Sequence, residues 1–388
     1  MTPLEAETLP PHPLLPGIRA RIVPDINGLA MHILEAGEPG HPLILLLHGF
    51  PELAWSWRKI LPALARAGYY AIAPDQRGYG RTTGWVADYD GDLAPFRMAN
   101  LARDAFGLVR ALGYSEVACV VGHDFGASVA AWSALIRPDI YRSVVLMSAP
   151  FTGPPALPAN NTPEIDAALA ALARPRKHYQ RYYSTPHANT DMLHATQGLP
   201  AFLRAYYHHK SSDWPGNLPF PLTGWTAGEL AKMPTYYVMD HAQDMAATVA
   251  AEMPAAGEIA ACRWLTEPEL AVYASEFART GFQGGLNWYR CRFEPRVTAE
   301  QQLYAGRTID IPALFIAGRH DWGIEQSPGA QARMRHHAFT AMPAPILIDG
   351  AGHWVQQEQP EAVTAALLAF LQKTSPQTAG TPPPTRSG

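Results

Sequence analysis

Four short, almost wholly apolar segments restrict the fold most: Leu43 to Leu47, Tyr69 to Ala73, Val117 to Val121 and Ser143 to Met147. Each is too short for a stable helix and lacks the alternation of a strand with one wet face, so each reads as a strand buried on both sides. Such strands need helices above and below them, and amphipathic stretches lie between the runs. Leu101, Ala105, Leu108 and Leu112 form one stripe, with Arg103, Asp104 and Arg110 off it and Gly113 as a stop. Residues 28 to 150 therefore predict an α/β fold with a mostly parallel sheet flanked by helices.

After Pro150 the character changes. Residues 151–305 are rich in Pro, Tyr, His and Met and read as an inserted helical domain without clear buried strands. Thr162, Pro163 and Glu164 suggest a cap, a first-turn proline and a dipole-matched acid for a helix through Ile165, Leu169 and Leu172. Alternation then resumes: Pro312 to Ala317 and Ile346 to Ile348 read as strands, and Glu361 to Gln372 as a closing helix. The expected organisation is a core over residues 1–150, the insertion over 151–305, the rest of the core over 306–373, and a disordered Pro/Gly/Ser/Thr tail over 374–388.

Composition narrows the class of function. Lys plus Arg number 30 against 34 Asp plus Glu, and no basic block offers a footprint for nucleic acid. The longest aliphatic run, Leu43 to Leu47, is far short of the roughly 20 residues of a membrane-spanning helix. The acidic, proline-broken N-terminus lacks the pattern of a secretory signal, which makes the cytoplasm the expected location. Cys119, Cys262 and Cys291 are too dispersed for a zinc site or a disulfide framework and read as reduced thiols. Small-molecule chemistry with no metal and no cofactor is the expectation, in a monomer or a dimer.

The chemistry is concentrated in VVGHDFGA, residues 120–127, where an apolar strand runs through Gly122 and His123 into Asp124, Phe125, Gly126 and a small-residue helix start. This has the form of a nucleophile elbow, in which flanking glycines let strand and helix close on a strained central residue. With Asp124 at the centre the attacking group is a carboxylate, suited to displacement at a saturated carbon and formation of an alkyl ester. A glycine-bounded turn with a capping Asp reads equally well from these residues alone. Two further residues follow in the order nucleophile, acid, histidine. Asp321 in AGRHDWG follows one late strand and His353 in DGAGHW follows the next. His353 would activate water, with Asp321 fixing its tautomer. Asp349 and Asp310 are weaker rivals for the acid. In HGFPE, residues 48–52, the N–H of Phe50 joins the N–H of Phe125 as a candidate oxyanion hole. Glu52 and His123 are candidates for a proton network or for structural hydrogen bonding, and His48 and Pro51 for turn formation.

Taken together, HGFPE with the following WSWR, GYG at residues 78–80, GHDFGA, the late Asp and GHW resemble the epoxide hydrolases of the α/β-hydrolase fold. GFQGGLNWYR, residues 281–290, is similar to that family's signature around the second lid tyrosine, which the resemblance places at Tyr289. A Tyr-Gln step early in the cap matches Tyr179 with Gln180, with Tyr182 and Tyr183 as close competitors. The resemblance implies that paired phenols hydrogen-bond the epoxide oxygen and supply a proton as water and a neutral, hydrophobic epoxide become a vicinal diol. The chain departs from the family pattern in having Phe125 where Trp is common, and in an insertion whose stretch from His208 to Met253 has no clear counterpart. Haloalkane dehalogenases share the triad, but their halide-holding Trp or Asn residues would fall at Phe125 and Phe50. A low-turnover ligand receptor on the same scaffold would need none of the three triad residues.

Overall fold

A computed structural model describes residues 9–157 and 164–374 of the chain. Thr162, Pro163 and the tail from residue 375 onward fall outside the described residues. Eight strands form one sheet: β1 (Ile18–Ile26), β2 (Leu29–Ala36), β3 (Leu43–Leu47), β4 (Tyr70–Pro74), β5 (Cys119–His123), β6 (Val144–Met147), β9 (Ala313–Gly318) and β10 (Ile346–Ile348). Their order across the sheet is β1-β2-β4-β3-β5-β6-β9-β10. β1 and β2 form an antiparallel hairpin, β2 pairs antiparallel with β4, and every other pair is parallel.

Every residue of β3, β4, β5 and β6 is buried, because helices such as Met98–Ala111, Phe125–Ile136 and Pro360–Thr374 cover the sheet. The expected strand at Val117 starts two residues late. Val117 makes only an isolated bridge to Tyr141, and the continuous ladder with β3 begins at Cys119. The hairpin β1–β2 was not anticipated. β1 leaves most of its residues in solvent, and Arg19 and Arg21 reach across to Glu35 at 3.3 and 3.1 Å, charging the sheet edge. Thr374, expected to open the tail, is the last residue of the closing helix and donates its hydroxyl to the Phe370 carbonyl at 3.1 Å.

Among the described residues between β6 and β9, none joins the main sheet. Helices dominate there, but two strands correct the all-helical expectation: β7 (Arg176–His178) and β8 (Val238–Asp240) pair antiparallel as a separate ribbon. Three residues per strand leave no periodicity to read, and Arg174 Nε on Asp240 at 2.6 Å ties the ribbon's end. Helix Leu199–Lys210 packs against helix Glu267–Thr280, whose start is capped by Thr266 with Glu269.

This layer is fastened to the sheet at several points. Arg58 pairs with Glu269 at 2.8 Å, the Tyr207 hydroxyl donates to the Pro51 carbonyl at 2.5 Å, and Trp288 Nε1 donates to the Arg77 carbonyl at 3.0 Å. Glu276 accepts from Arg81 Nε and from His12 Nε2, both at 2.9 Å. Gly78 and Gly284 bring two backbones into contact. A Cβ on Gly284 would stand 2.1 Å from the Gly78 carbonyl oxygen, so the GYG and GFQGG motifs are small because they touch each other. Chain order reverses across the sheet around β3, and the loops at the carboxyl ends of β3, β5, β6, β9 and β10 open towards the inserted helices.

Candidate active site

Asp124 stands between β5 and helix Phe125–Ile136 with φ 52° and ψ −121°, a left-handed conformation that costs a non-glycine residue about 1–3 kcal/mol. The neighbouring glycines make the turn possible. A Cβ on Gly122 would lie 2.1 Å from the Gly126 carbonyl oxygen, and one on Gly126 would lie 2.3 Å from that of Leu47. Gly49 clears the side chain itself, since a Cβ there would sit 2.4 Å from the Asp124 Cβ. The carboxylate is thus presented at the top of the sheet, where the Phe50 N–H donates to its Oδ1 at 3.0 Å. Phe125 begins the helix, so its N–H is one of the amides a helix leaves without an internal partner.

His353 Nε2 lies 3.2 Å from Asp124 Oδ2 but off the line of a hydrogen bond. On the other side of the ring Nδ1 meets Asp321 at 3.1 and 3.2 Å. Asp321 follows β9, caps the turn Trp322–Ile324 and accepts the Gly323 N–H at 2.6 Å. Burial pushes both carboxyls up, yet each titrates below the ordinary range. For Asp124 the close approach of His353, then Lys210 and His123, outweigh burial; for Asp321 it is chiefly His353 and the Gly323 N–H. The rival acids are elsewhere: Asp349 is exposed and paired with Arg319, and Asp310 accepts from the Thr308 hydroxyl at 2.8 Å.

Beneath the triad, His123 Nδ1 meets Glu52 at 2.6 Å and Nε2 meets the His353 carbonyl at 2.7 Å. Both partners are acceptors, so both nitrogens donate and the ring is an imidazolium. Burial opposes that charge, but Glu52 raises its pKa above the usual value, and His123 holds Glu52 below its own. Glu52 also accepts the Gly49 N–H at 3.1 Å and the amides of Gln356 and Gln357 at 2.9 and 3.0 Å. With all these bonds spent on backbone and neighbouring side chains, the pair anchors the HGFPE and His353 loops. His48 is a turn-former: Nδ1 donates to the Gly49 carbonyl and Nε2 accepts the Gln76 N–H.

The inserted layer supplies a wall of phenols. The rings of Tyr289 and Tyr179 lie 6.0 Å apart, and that of Tyr289 is 5.4 Å from Phe50 and 5.1 Å from Phe125. Burial, then the charge of Asp124, raises both phenol pKa values, which keeps them protonated as donors. Tyr179 donates to Gln326 Oε1 at 3.2 Å and accepts from Gln180 at 3.0 Å. Asp124 is not among the main influences on the competitors, of which Tyr182 donates to Asp191 at 2.9 Å and Tyr183 to the Tyr206 hydroxyl at 3.0 Å. Sequence reasoning missed Lys210, within the stretch from His208 to Met253 that has no clear counterpart, and Tyr206 just before that stretch. Their one signal was the density of aromatic and basic residues in AYYHHK.

Comparison with known proteins agrees with this geometry. The model of the alpha/beta hydrolase fold family matches residues 42–360. Epoxide hydrolase A of Mycobacterium tuberculosis is 37% identical over 356 residues, covering 89% of this chain and 95% of the relative. Epoxide hydrolase B of the same organism is 31% identical, covering 89% and 96%. Among solved structures, epoxide hydrolase A from Mycobacterium thermoresistibile has a TM-score of 0.71 at 33% identity, covering 92% of this chain and 98% of that one. An epoxide hydrolase from an endophytic Streptomyces has a TM-score of 0.73 at 31% identity, covering 92% and 96%. With a match of this length and a carboxylate at the elbow of its fifth strand, the chain belongs to the epoxide hydrolases of the α/β-hydrolase fold.

Proposed function

We propose that this protein hydrolyses a hydrophobic epoxide to a vicinal diol through an alkyl ester on Asp124, with residues 151–305 as the cap over the site. The observation that carries this is the alignment of Asp124, His353 and Asp321 at 3.2 and 3.1 Å beneath Tyr179 and Tyr289. Phe50 holds Oδ1, which leaves Oδ2 as the attacking atom. Its electron pair forms the bond to an epoxide carbon, the ring C–O bond breaks, and the ring oxygen takes a proton from the tyrosine pair. His353 then removes a proton from water, whose oxygen adds to the Asp124 carbonyl carbon. The oxyanion forms at Oδ1, against the N–H groups of Phe50 and Phe125. Its collapse releases the diol, whose oxygen takes the proton back from His353, and the proton that came in on the water oxygen leaves the Asp124 carboxyl for the phenolate, which restores both groups. Asp321 stabilises the imidazolium in between.

The rings of Phe50 and Phe125, packed at 5.4 and 5.1 Å against Tyr289, support an apolar substrate body. Single turnover in heavy-oxygen water tests the mechanism: one labelled oxygen should enter Asp124, and label appearing directly in the first diol would mean that water attacks the epoxide itself. Halide release from a haloalkane without diol formation from any epoxide would favour a dehalogenase.

A further inference from the structure

Lys210 ends helix Leu199–Lys210 and is only 4% exposed. Among the described residues its Nζ has no ion pair and no hydrogen bond. It sits instead among four rings, with centroids at 5.1 Å for Tyr237, 5.3 Å for Trp354, 5.5 Å for Tyr206 and 5.8 Å for Tyr236. Aromatic faces attract a cation without neutralising it, so a charge kept here acts on its surroundings. Packing alone would be served by methionine, since burying a charge without a paired anion is costly.

The backbone fixes where that charge acts. The Lys210 carbonyl accepts the His353 N–H at 2.9 Å, and a Cβ on Gly352 would stand 2.7 Å from the same carbonyl oxygen. The helix end is therefore locked to the loop that carries the catalytic histidine. The ionisable groups that face the ammonium electrostatically are Asp124 after β5, Asp321 after β9 and Glu52 after β3, all anionic, and His209 on its own helix. Burial holds the Lys210 pKa below the ordinary value, and the three carboxylates push it back up. In return the ammonium helps to keep Asp124 ionised.

We propose that Lys210 is a positioning residue whose ammonium acts through Asp124 and favours hydrolysis of the ester over its formation. This rests on Asp124 being the nucleophile. During ring opening, negative charge leaves Asp124 for the epoxide oxygen, and a fixed cation at the helix end locked to the His353 loop opposes that movement. During hydrolysis, the water oxygen bonds to the carbonyl carbon, the C=O pair moves onto Oδ1, and negative charge returns towards the cation. One residue thus biases the two half-reactions in opposite directions, and loss of packing would not do so.

The test measures alkylation and ester hydrolysis separately in the full-length protein, by rapid mixing with an epoxide and intact-protein mass. In Lys210→Met, hydrolysis should slow about 10 to 100-fold, the scale of one nearby charge in a partly shielded site. Alkylation at about pH 8 should be no slower than in wild type, so the ester accumulates. The acid limb of alkylation should move up by about one pH unit. Lys210→Arg should restore hydrolysis to within a few-fold. Equal slowing of both steps, or no change in either, would overturn the proposal. If Lys210→Met does not fold, the wild-type profile decides: hydrolysis should lose rate in alkali below the ordinary lysine pKa of about 10.4, and a flat rate through that range would count against it. Wild type without any ester adduct would overturn the Asp124 assignment itself, and this proposal with it.

Discussion

The φ of 52° at Asp124 is strain held by the glycines around it, so the proposed nucleophile and the stability of the turn can be separated by substitution. Asp124→Gly should abolish turnover while the chain still folds and melts cooperatively, because glycine adopts that conformation freely. His353→Gln should still open the epoxide but stall at the ester, seen as a mass increase equal to one substrate. For the phenols, Tyr179→Phe and Tyr289→Phe should each slow alkylation about 10 to 1000-fold, and the double variant should nearly abolish it. Tyr183→Phe should leave alkylation within about threefold of wild type, since its hydroxyl donates to Tyr206 and the charge of Asp124 is not among its main influences; stopped-flow traces of ester formation separate these cases. At this scale the three residues proposed as a triad, which the structure brings together, could be picked out from the chain because each is held by a short local motif of strand end, glycine and turn. The choice among Tyr179, Tyr182 and Tyr183 could not, because it depends on where each hydroxyl finds an acceptor. Lys210 was invisible for the same reason: its four rings come from three separated stretches of sequence.

Helix Glu267–Thr280 shows how one element joins the two layers, since Glu276 on its buried side meets Arg81 of the core and His12 of the N-terminal segment. Burial opposes ionisation, but His12, Arg279 and Arg81 hold the carboxyl at a pKa of about 2, against about 4.5 when unfolded. The folded pKa is the lower one, so the stabilisation is complete above the unfolded value and is lost as pH falls from about 4.5 to about 2. Glu276→Gln should therefore cost on the order of 3 kcal/mol at neutral pH and flatten the acid limb of stability, as measured by denaturant unfolding at several pH values. Among elements, β3 was predicted to the residue and β9 to within one, because a parallel strand buried on both faces leaves a continuous apolar run; β10 was also predicted to the residue, although Ile346 at its start is exposed. β1 escaped notice because an edge strand carrying Arg19 and Arg21 has no such run, and β7 and β8 because three residues cannot display a period.

Across the whole molecule, the sheet and the helical layer meet through charged pairs, aromatic packing and one place where main chain touches main chain. No helix among the described residues is long and apolar enough to cross a membrane. The contact of Gly78 with Gly284 has a kinetic consequence. With no side chain between the two backbones there is nothing to slide or compress, and the roof is riveted to the floor close to the second tyrosine. Amide exchange around residues 78–80 and 283–286 should thus be as slow as in the central strands, and Gly284→Ala should speed it there by prising the two segments apart. A roof pinned at that point does not swing open to admit guests. Traffic in and out should then depend on the turning of individual rings, and bulky diols should leave more slowly than small ones, as single-turnover release rates would show.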